Sequence, residues 1–124
     1  MKFFDLDKLE NDEVRSTYLR KIAYGESLTV AKVEVQQGEV TKSHSHDSEE
    51  VIFVLSGAWR FDLPTGEVIV RANQMVFIPP GVEHSSEALE DTVAIDICSK
   101  SRPDWHSGVD KSLHSNPSEF LWAV

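Results

Sequence analysis

Short apolar stretches, separated by turn residues, follow one another along most of the chain. Ala31, Val33 and Val35 alternate with charged residues, which is the period of two expected for a strand with one buried face. The continuous apolar run 51–55 predicts a strand that is covered on both faces. Further strands are predicted for 14–24, 28–35, 58–63, 67–70, 75–78 and 92–98.

The residues between these stretches are typical of turns. Gly25-Glu26 separates the first two strands and predicts a β-hairpin. Ser56-Gly57 and Pro64-Thr65-Gly66 mark further turns, and Pro79-Pro80-Gly81 predicts a tight bend just before His84. About eight short strands without a convincing long helix favour an all-β sandwich or barrel, preceded by a polar lead-in over residues 1–12.

Composition and charge narrow the class of protein. A chain of 124 residues, 40% apolar and 27% charged, is expected to form one globular domain over residues 1–124. The net charge of −9 argues against nucleic acid and anionic membranes as partners. The single cysteine, Cys98, fits a reducing cytoplasm. We expect neither a signal peptide nor a membrane span, because no apolar run is long enough.

Candidate metal ligands lie in the segment 38–57, GEVTKSHSHDSEEVIFVLSG. His44 and His46 are two residues apart and would share one face of a strand, and Glu50 follows four residues later. His44 and His46 alone would fit a polar surface turn, but His84, after the proline bend, can reach the same place. Imidazoles with a carboxylate suit a divalent Fe, Zn, Mn, Ni or Co ion. Four such ligands leave one or two positions of a six-coordinate ion open to a small-molecule substrate.

The two segments together resemble the cupin family. The first cupin motif runs Gly, five residues, His, one residue, His, three or four residues, Glu, six residues, Gly, and it is matched by Gly38, His44, His46, Glu50 and Gly57. The second motif covers 73–88 and is matched by Pro79, Gly81 and His84, while Asn73 and Ala88 replace the usual Gly and Asn. The resemblance implies a double-stranded β-helix, or jelly roll, whose barrel mouth holds the metal.

Asp96 interrupts the last apolar strand, TVAIDIC. Val93, Ile95 and Ile97 share one face of this strand, so Asp96 lies on the other face with Ala94 and Cys98. On a half-exposed strand that face would meet solvent. If it faces the barrel interior instead, the metal centre gains a neighbouring acid or base, because a buried carboxyl group needs partners.

The segment 96–105, DICSKSRPDW, is similar to the end of the KdgF-type cupins, which convert unsaturated uronic acids to their open-chain keto form. Asp96, Arg102 and the pair Asp104-Trp105 match that pattern, whereas Cys98 replaces a Phe and Glu50 stands where Gln is common. The resemblance implies that Asp96 transfers a proton and that Arg102 pairs with a substrate carboxylate. Related tails occur in cupins of other activities, including some aromatic polyketide cyclases.

Three functions remain open from the sequence. The first is a metal-dependent isomerase or tautomerase acting on a small sugar acid, the second an iron-dependent dioxygenase, and the third a cupin that binds a metal or ligand without catalysis. The C-terminal extension 99–124 is irregular but rich in large apolar residues, so we expect it to pack on the barrel or on a second subunit. Cupins of this size are commonly dimers, so the resemblance implies a homodimer. The chain also has more aromatic residues at its two ends than the barrel requires: Phe3, Phe4, Trp105, Phe120 and Trp122.

Overall fold

The computed structural model describes residues 1–99, which form ten β-strands and one short 3₁₀ helix, Leu6–Lys8. Among these residues, no helix is long and apolar enough to cross a membrane. The strands are β1 Asp12–Arg15, β2 Tyr18–Tyr24, β3 Thr29–Val35, β4 Val40–His44, β5 Glu50–Ser56, β6 Ala58–Leu63, β7 Gly66–Arg71, β8 Met75–Ile78, β9 His84–Ala88 and β10 Thr92–Cys98.

The strands form two antiparallel sheets. One has six strands in the order β1-β2-β3-β10-β5-β8, and the other has four in the order β4-β9-β6-β7. Neighbours in each sheet come from distant parts of the chain, as in β10 between β3 and β5. This is the all-β jelly roll that the sequence predicted.

The core lies between the two sheets, where the inward faces meet. In β3 the alternation is nearly perfect: Ala31, Val33 and Val35 are buried, as predicted from their spacing. The inward residues of β10 lie beside them, and Asp96 pairs with Ala31 on one side and Ile52 on the other. Asp96 is only 3% exposed, so the Asp96 face looks into the barrel and the solvent-facing alternative is wrong.

The N-terminal strands differ from the prediction. The hairpin around Gly25 is confirmed by the pairing of β2 with β3. The stretch 14–24, however, is two strands, because the chain turns at Ser16-Thr17 and β1 folds back on β2. The β1–β2 register shifts between Glu13 and Arg15, so both Val14 and Arg15 reach the interior side, which strict alternation would forbid.

Asn73 shows why the second cupin motif tolerates its departure from Gly. Its φ is +65°, in the left-handed region where Gly is usual and Asn is the most readily accepted substitute. The tight turn between β7 and β8 is therefore kept. Arg102 and the C-terminal extension beyond Ser99 lie outside the described residues.

Candidate metal centre

Three histidines and a glutamate meet at one end of the barrel. His44 ends β4 and is the cross-strand partner of His84, the first residue of β9. His46 lies in the following loop, and Glu50 begins β5 in the other sheet. The metal-binding atoms of His44, His46 and His84 lie within 4.8 Å of one another. The structure thus brings together the histidines of both sequence motifs.

The backbone fixes which nitrogen of each histidine is protonated. The Nδ1 of His44 lies 2.8 Å from the carbonyl oxygen of Lys42, that of His46 lies 3.0 Å from the carbonyl of Ser48, and that of His84 lies 2.9 Å from the carbonyl of Val82. A carbonyl oxygen only accepts, so each Nδ1 donates its proton. In the neutral imidazoles each Nε2 therefore carries a lone pair, as a metal ligand requires.

Glu50 places a carboxylate among these lone pairs. Its Oε1 lies 3.1 Å from Nε2 of His46 and 3.5 Å from Nε2 of His84. Converging acceptors repel one another unless a cation lies between them. Bonds of roughly 2.1 Å at right angles would separate two ligand atoms by roughly 3.0 Å, close to these spacings. The donor set therefore fits a divalent metal ion, and the chemistry of the ligands does not decide which one.

Burial shifts the charges of these ligands. Desolvation lowers the pKa of His44 from 6.5 to about 4, which keeps the imidazole neutral and able to coordinate at physiological pH. Burial alone would raise the pKa of Glu50. Contacts with His46, His84 and Asp96 outweigh that cost and hold the pKa of Glu50 well below its usual range. His44 therefore offers a neutral imidazole, and Glu50 an anionic oxygen ligand.

Asp96 adjoins this set through Glu50. The ligand atoms of Glu50, Asp96 and Cys98 lie within 4.8 Å of one another, and all three side chains are buried. A side-chain hydrogen bond between the two carboxyl groups is one of the contacts that lower the pKa of Glu50. Asp96 therefore lies behind Glu50, next to the candidate ligands but not among them. Arg102 falls outside the described residues.

A cavity of about 40 Å³ lies beside the histidines. The aromatic residues Trp59 and Phe61 line it, whereas Phe53, Met75 and Phe77 do not. Met75 and Phe77 are more than half exposed on the outer side of the sheet. The sequence also missed several lining residues: Val14, Arg15, Tyr18, Arg20, Thr41, Ile52 and Ser86.

Comparison with known proteins shows which family has this arrangement. The family model described as "Cupin domain" matches residues 31–98, more than half of the chain. The chain belongs to the cupin family. No curated protein matches this cupin.

Solved structures extend the likeness to almost the whole barrel. This cupin is 27% identical to KdgF from Halomonas sp., covering 84% of this chain and 99% of that one with a TM-score of 0.77. An RmlC-like cupin from Shewanella frigidimarina is 21% identical, with coverages of 85% and 96% and a TM-score of 0.78. Ectoine synthase from P. lautus is 11% identical, with coverages of 87% and 86% and a TM-score of 0.75. The last two support the fold alone.

Proposed function

We propose that this cupin is a metal-dependent enzyme that moves a proton on a small hydroxy acid. The reaction that its residues fit best is the ketonisation of an unsaturated sugar acid. The observation that carries the proposal is the position of Asp96, a buried carboxyl group that faces the barrel interior and touches the carboxylate among the candidate metal ligands. The likeness to KdgF of Halomonas over nearly its full length supports the same reaction class.

In the proposed reaction, ketonisation transfers a proton from an oxygen of the substrate to a carbon, with no net oxidation or reduction. A divalent metal held by His44, His46, Glu50 and His84 would supply a Lewis acid that polarises a substrate oxygen. Asp96 would move the proton as general acid or base, since its buried carboxyl group lies within 4.8 Å of Glu50. Arg102 remains the predicted partner of the substrate carboxylate, where its planar fork can form two parallel hydrogen bonds.

Two measurements test this proposal. Elemental analysis of protein purified without added metal should find about one Zn, Ni, Mn, Fe or Co per chain. The same protein should then remove the ultraviolet absorbance of the conjugated double bond of an unsaturated uronate, without consuming oxygen. Metal-replete protein that leaves this absorbance unchanged across a panel of unsaturated uronates would exclude the ketonisation.

A second candidate, an iron-dependent dioxygenase, is favoured by one feature. Glu50, rather than the Gln common in KdgF-type cupins, places an anionic oxygen within 3.5 Å of two histidine nitrogens. A three-histidine, one-carboxylate set with open positions suits iron. Iron in the isolated protein together with oxygen uptake on substrate addition would support this candidate over the first.

We also propose that the cupin is a cytoplasmic homodimer. Apolar residues cover the outer side of β10, β5 and β8 in the six-stranded sheet, in cross-strand rows that join Ile95 to Phe53 and Met75, and Ile97 to Val51 and Phe77. Phe77 is 58% exposed. We call this surface the outer apolar face. Exposed apolar rows of this kind mark a contact with another protein surface, and a second copy of the chain offers the same face in return.

A further inference from the structure

The cavity beside the histidines has a second polar wall, formed mainly by the N-terminal hairpin. Tyr18 of β2 and Arg15 of β1 line this space together with Ser86 and Thr41 of the four-stranded sheet. The histidines line the same cavity, so one small molecule can touch both the metal ligands and this wall. None of these four residues is at a fixed position of the cupin motifs.

Two hydroxyl groups on this wall have no partner within residues 1–99, the part of the chain that the structure describes. Among the described residues, none forms a hydrogen bond with the side-chain hydroxyl of Tyr18 or Ser86, although Ser86 is only 6% exposed. Neither oxygen is sealed from solvent, so neither is a buried group left unsatisfied. Polar groups at the wall of a cavity and without an internal partner are available to a ligand.

Tyr18 is held in place by its neighbours. Its ring meets Trp59 edge-on at a centroid distance of 6.2 Å, and the Cζ of Arg15 lies 5.6 Å from its ring centroid. Burial raises the pKa of Tyr18 well above its usual value, so its hydroxyl remains a hydrogen-bond donor at any physiological pH. The ring therefore presents a fixed donor.

Arg15 is fixed in turn by the buried carboxylate of Glu39. Its Nε lies 2.9 Å from Glu39 Oε2, and its Nη2 donates to Thr41 Oγ1 at 3.2 Å. Thr17 donates a further hydrogen bond to Glu39 and so helps to hold the carboxylate in place beside Arg15. The remaining nitrogen of Arg15, Nη1, donates to no described residue. The register shift in β1 is what turns Arg15 toward this cavity.

We propose that Arg15, Tyr18 and Ser86 form a second substrate-binding subsite, which takes the acceptor-rich end of a small hydroxy acid while other oxygens of that molecule face the histidines. We call it the hydroxyl subsite. It rests on the proposed function for the choice of substrate class. A guanidinium and two hydroxyls donate to carboxylate or hydroxyl oxygens, whereas they offer little to an amine. The enclosed space holds about three water molecules, so one end of the substrate enters and the rest occupies the mouth.

Calorimetry on the metal-loaded protein tests the hydroxyl subsite with two probes. The first is D-galacturonate, a saturated and unreactive relative of the proposed substrate, and the second is azide, which is small enough to contact only the metal. Tyr18→Phe and Ser86→Ala should each weaken galacturonate binding by about tenfold, because each loses one hydrogen bond to the ligand. Azide affinity, metal content and melting temperature should not change. Tyr24→Phe is the matched control, since Tyr24 lies on the same strand but does not line the cavity.

The outcomes separate this subsite from the proposed function. If wild-type protein binds galacturonate and Tyr18→Phe binds it equally well, the hydroxyl subsite is wrong and the function stands. If both variants lose azide and galacturonate affinity together, they disturb the metal centre and the subsite is again rejected. If wild-type protein binds azide but not galacturonate, the hydroxy-acid class fails and the subsite fails with it.

Discussion

At the scale of single residues, the candidate ligands differ in how replaceable they are. His84→Ala should abolish stoichiometric metal binding, because a methyl group leaves water in place of one of four ligands. Glu50→Gln should reduce metal content less, since an amide oxygen can still coordinate. Elemental analysis of the two variants, with His114→Ala as a histidine control outside the cupin motifs, measures the difference. Full metal content in His84→Ala would show that the site lies elsewhere.

Asp96 should matter for the reaction more than for the fold. Asn has nearly the same shape, so Asp96→Asn should keep metal content while kcat falls by about 10²–10⁴-fold, the usual contribution of one positioned acid or base. Arg102→Lys, which keeps the charge but loses the planar fork, should mainly raise KM. If Asp96→Asn lowers the melting temperature while its folded fraction turns over at the wild-type rate, Asp96 is structural.

His44 should make the metal-free protein sensitive to mild acid. Its pKa falls from 6.5 in the unfolded chain to about 4 in the folded one, so between these values the unfolded chain binds more protons. Stability is therefore complete above about pH 6.5 and is lost as the pH falls, by about 2 kcal/mol between pH 7 and pH 5. Urea unfolding with a chelator present measures this loss, and His44→Gln should show a flatter profile. Equal pH dependence in the two proteins would contradict the assignment.

At the scale of elements, the two glycines that bracket the first motif are required for different structural reasons. Gly38 and Gly57 both have positive φ, at 88° and 99°. A Cβ at Gly38 meets nothing, whereas one at Gly57 would overlap the carbonyl of Asp91 and the side chain of Thr92. Gly38→Ala should therefore cost about 1–2 kcal/mol, and Gly57→Ala about 3 kcal/mol or more. Thermal unfolding compares them, and equal losses would contradict the packing at Gly57.

The strands also show which parts of the structure could be predicted from the sequence. Alternation in β3 and the grouping of Asp96 with Ala94 and Cys98 on one face of β10 could be predicted, because a strand has a period of two. The sequence left open which face of β10 is inward. The strand β9 was missed because its residues, HSSEA, are mostly polar: His84 and Ser86 of its inward face line the cavity, and only Ala88 reaches the apolar core. Arg15 was missed because a register shift leaves no mark in the sequence. Motifs thus identified the candidate metal ligands, while the residues that line the cavity depended on strand pairing that only the folded chain shows.

At the scale of the whole molecule, the outer apolar face predicts the assembly. Phe77→Glu places a charge in the middle of the proposed contact, so light scattering should change from twice the chain mass to the single-chain mass of 14.0 kDa. The control is Val68→Glu, because Val68 is 37% exposed on β7 of the other sheet and should leave the dimer intact. Wild-type protein of single-chain mass at micromolar concentration would reject the dimer.

The division of the candidate ligands between two sheets has a consequence for the stage of folding at which a metal ion could bind. His44 and His84 belong to the four-stranded sheet and Glu50 to the six-stranded one, so the full ligand set exists only after both sheets have closed on each other. Such pairing between distant parts of a chain forms late. A newly made chain offers only its neighbouring histidines, which hold metal weakly. If these residues bind a metal, the ion is therefore selected by the completed ligand set of the folded protein, from the metals available at that time, and not during synthesis of the chain.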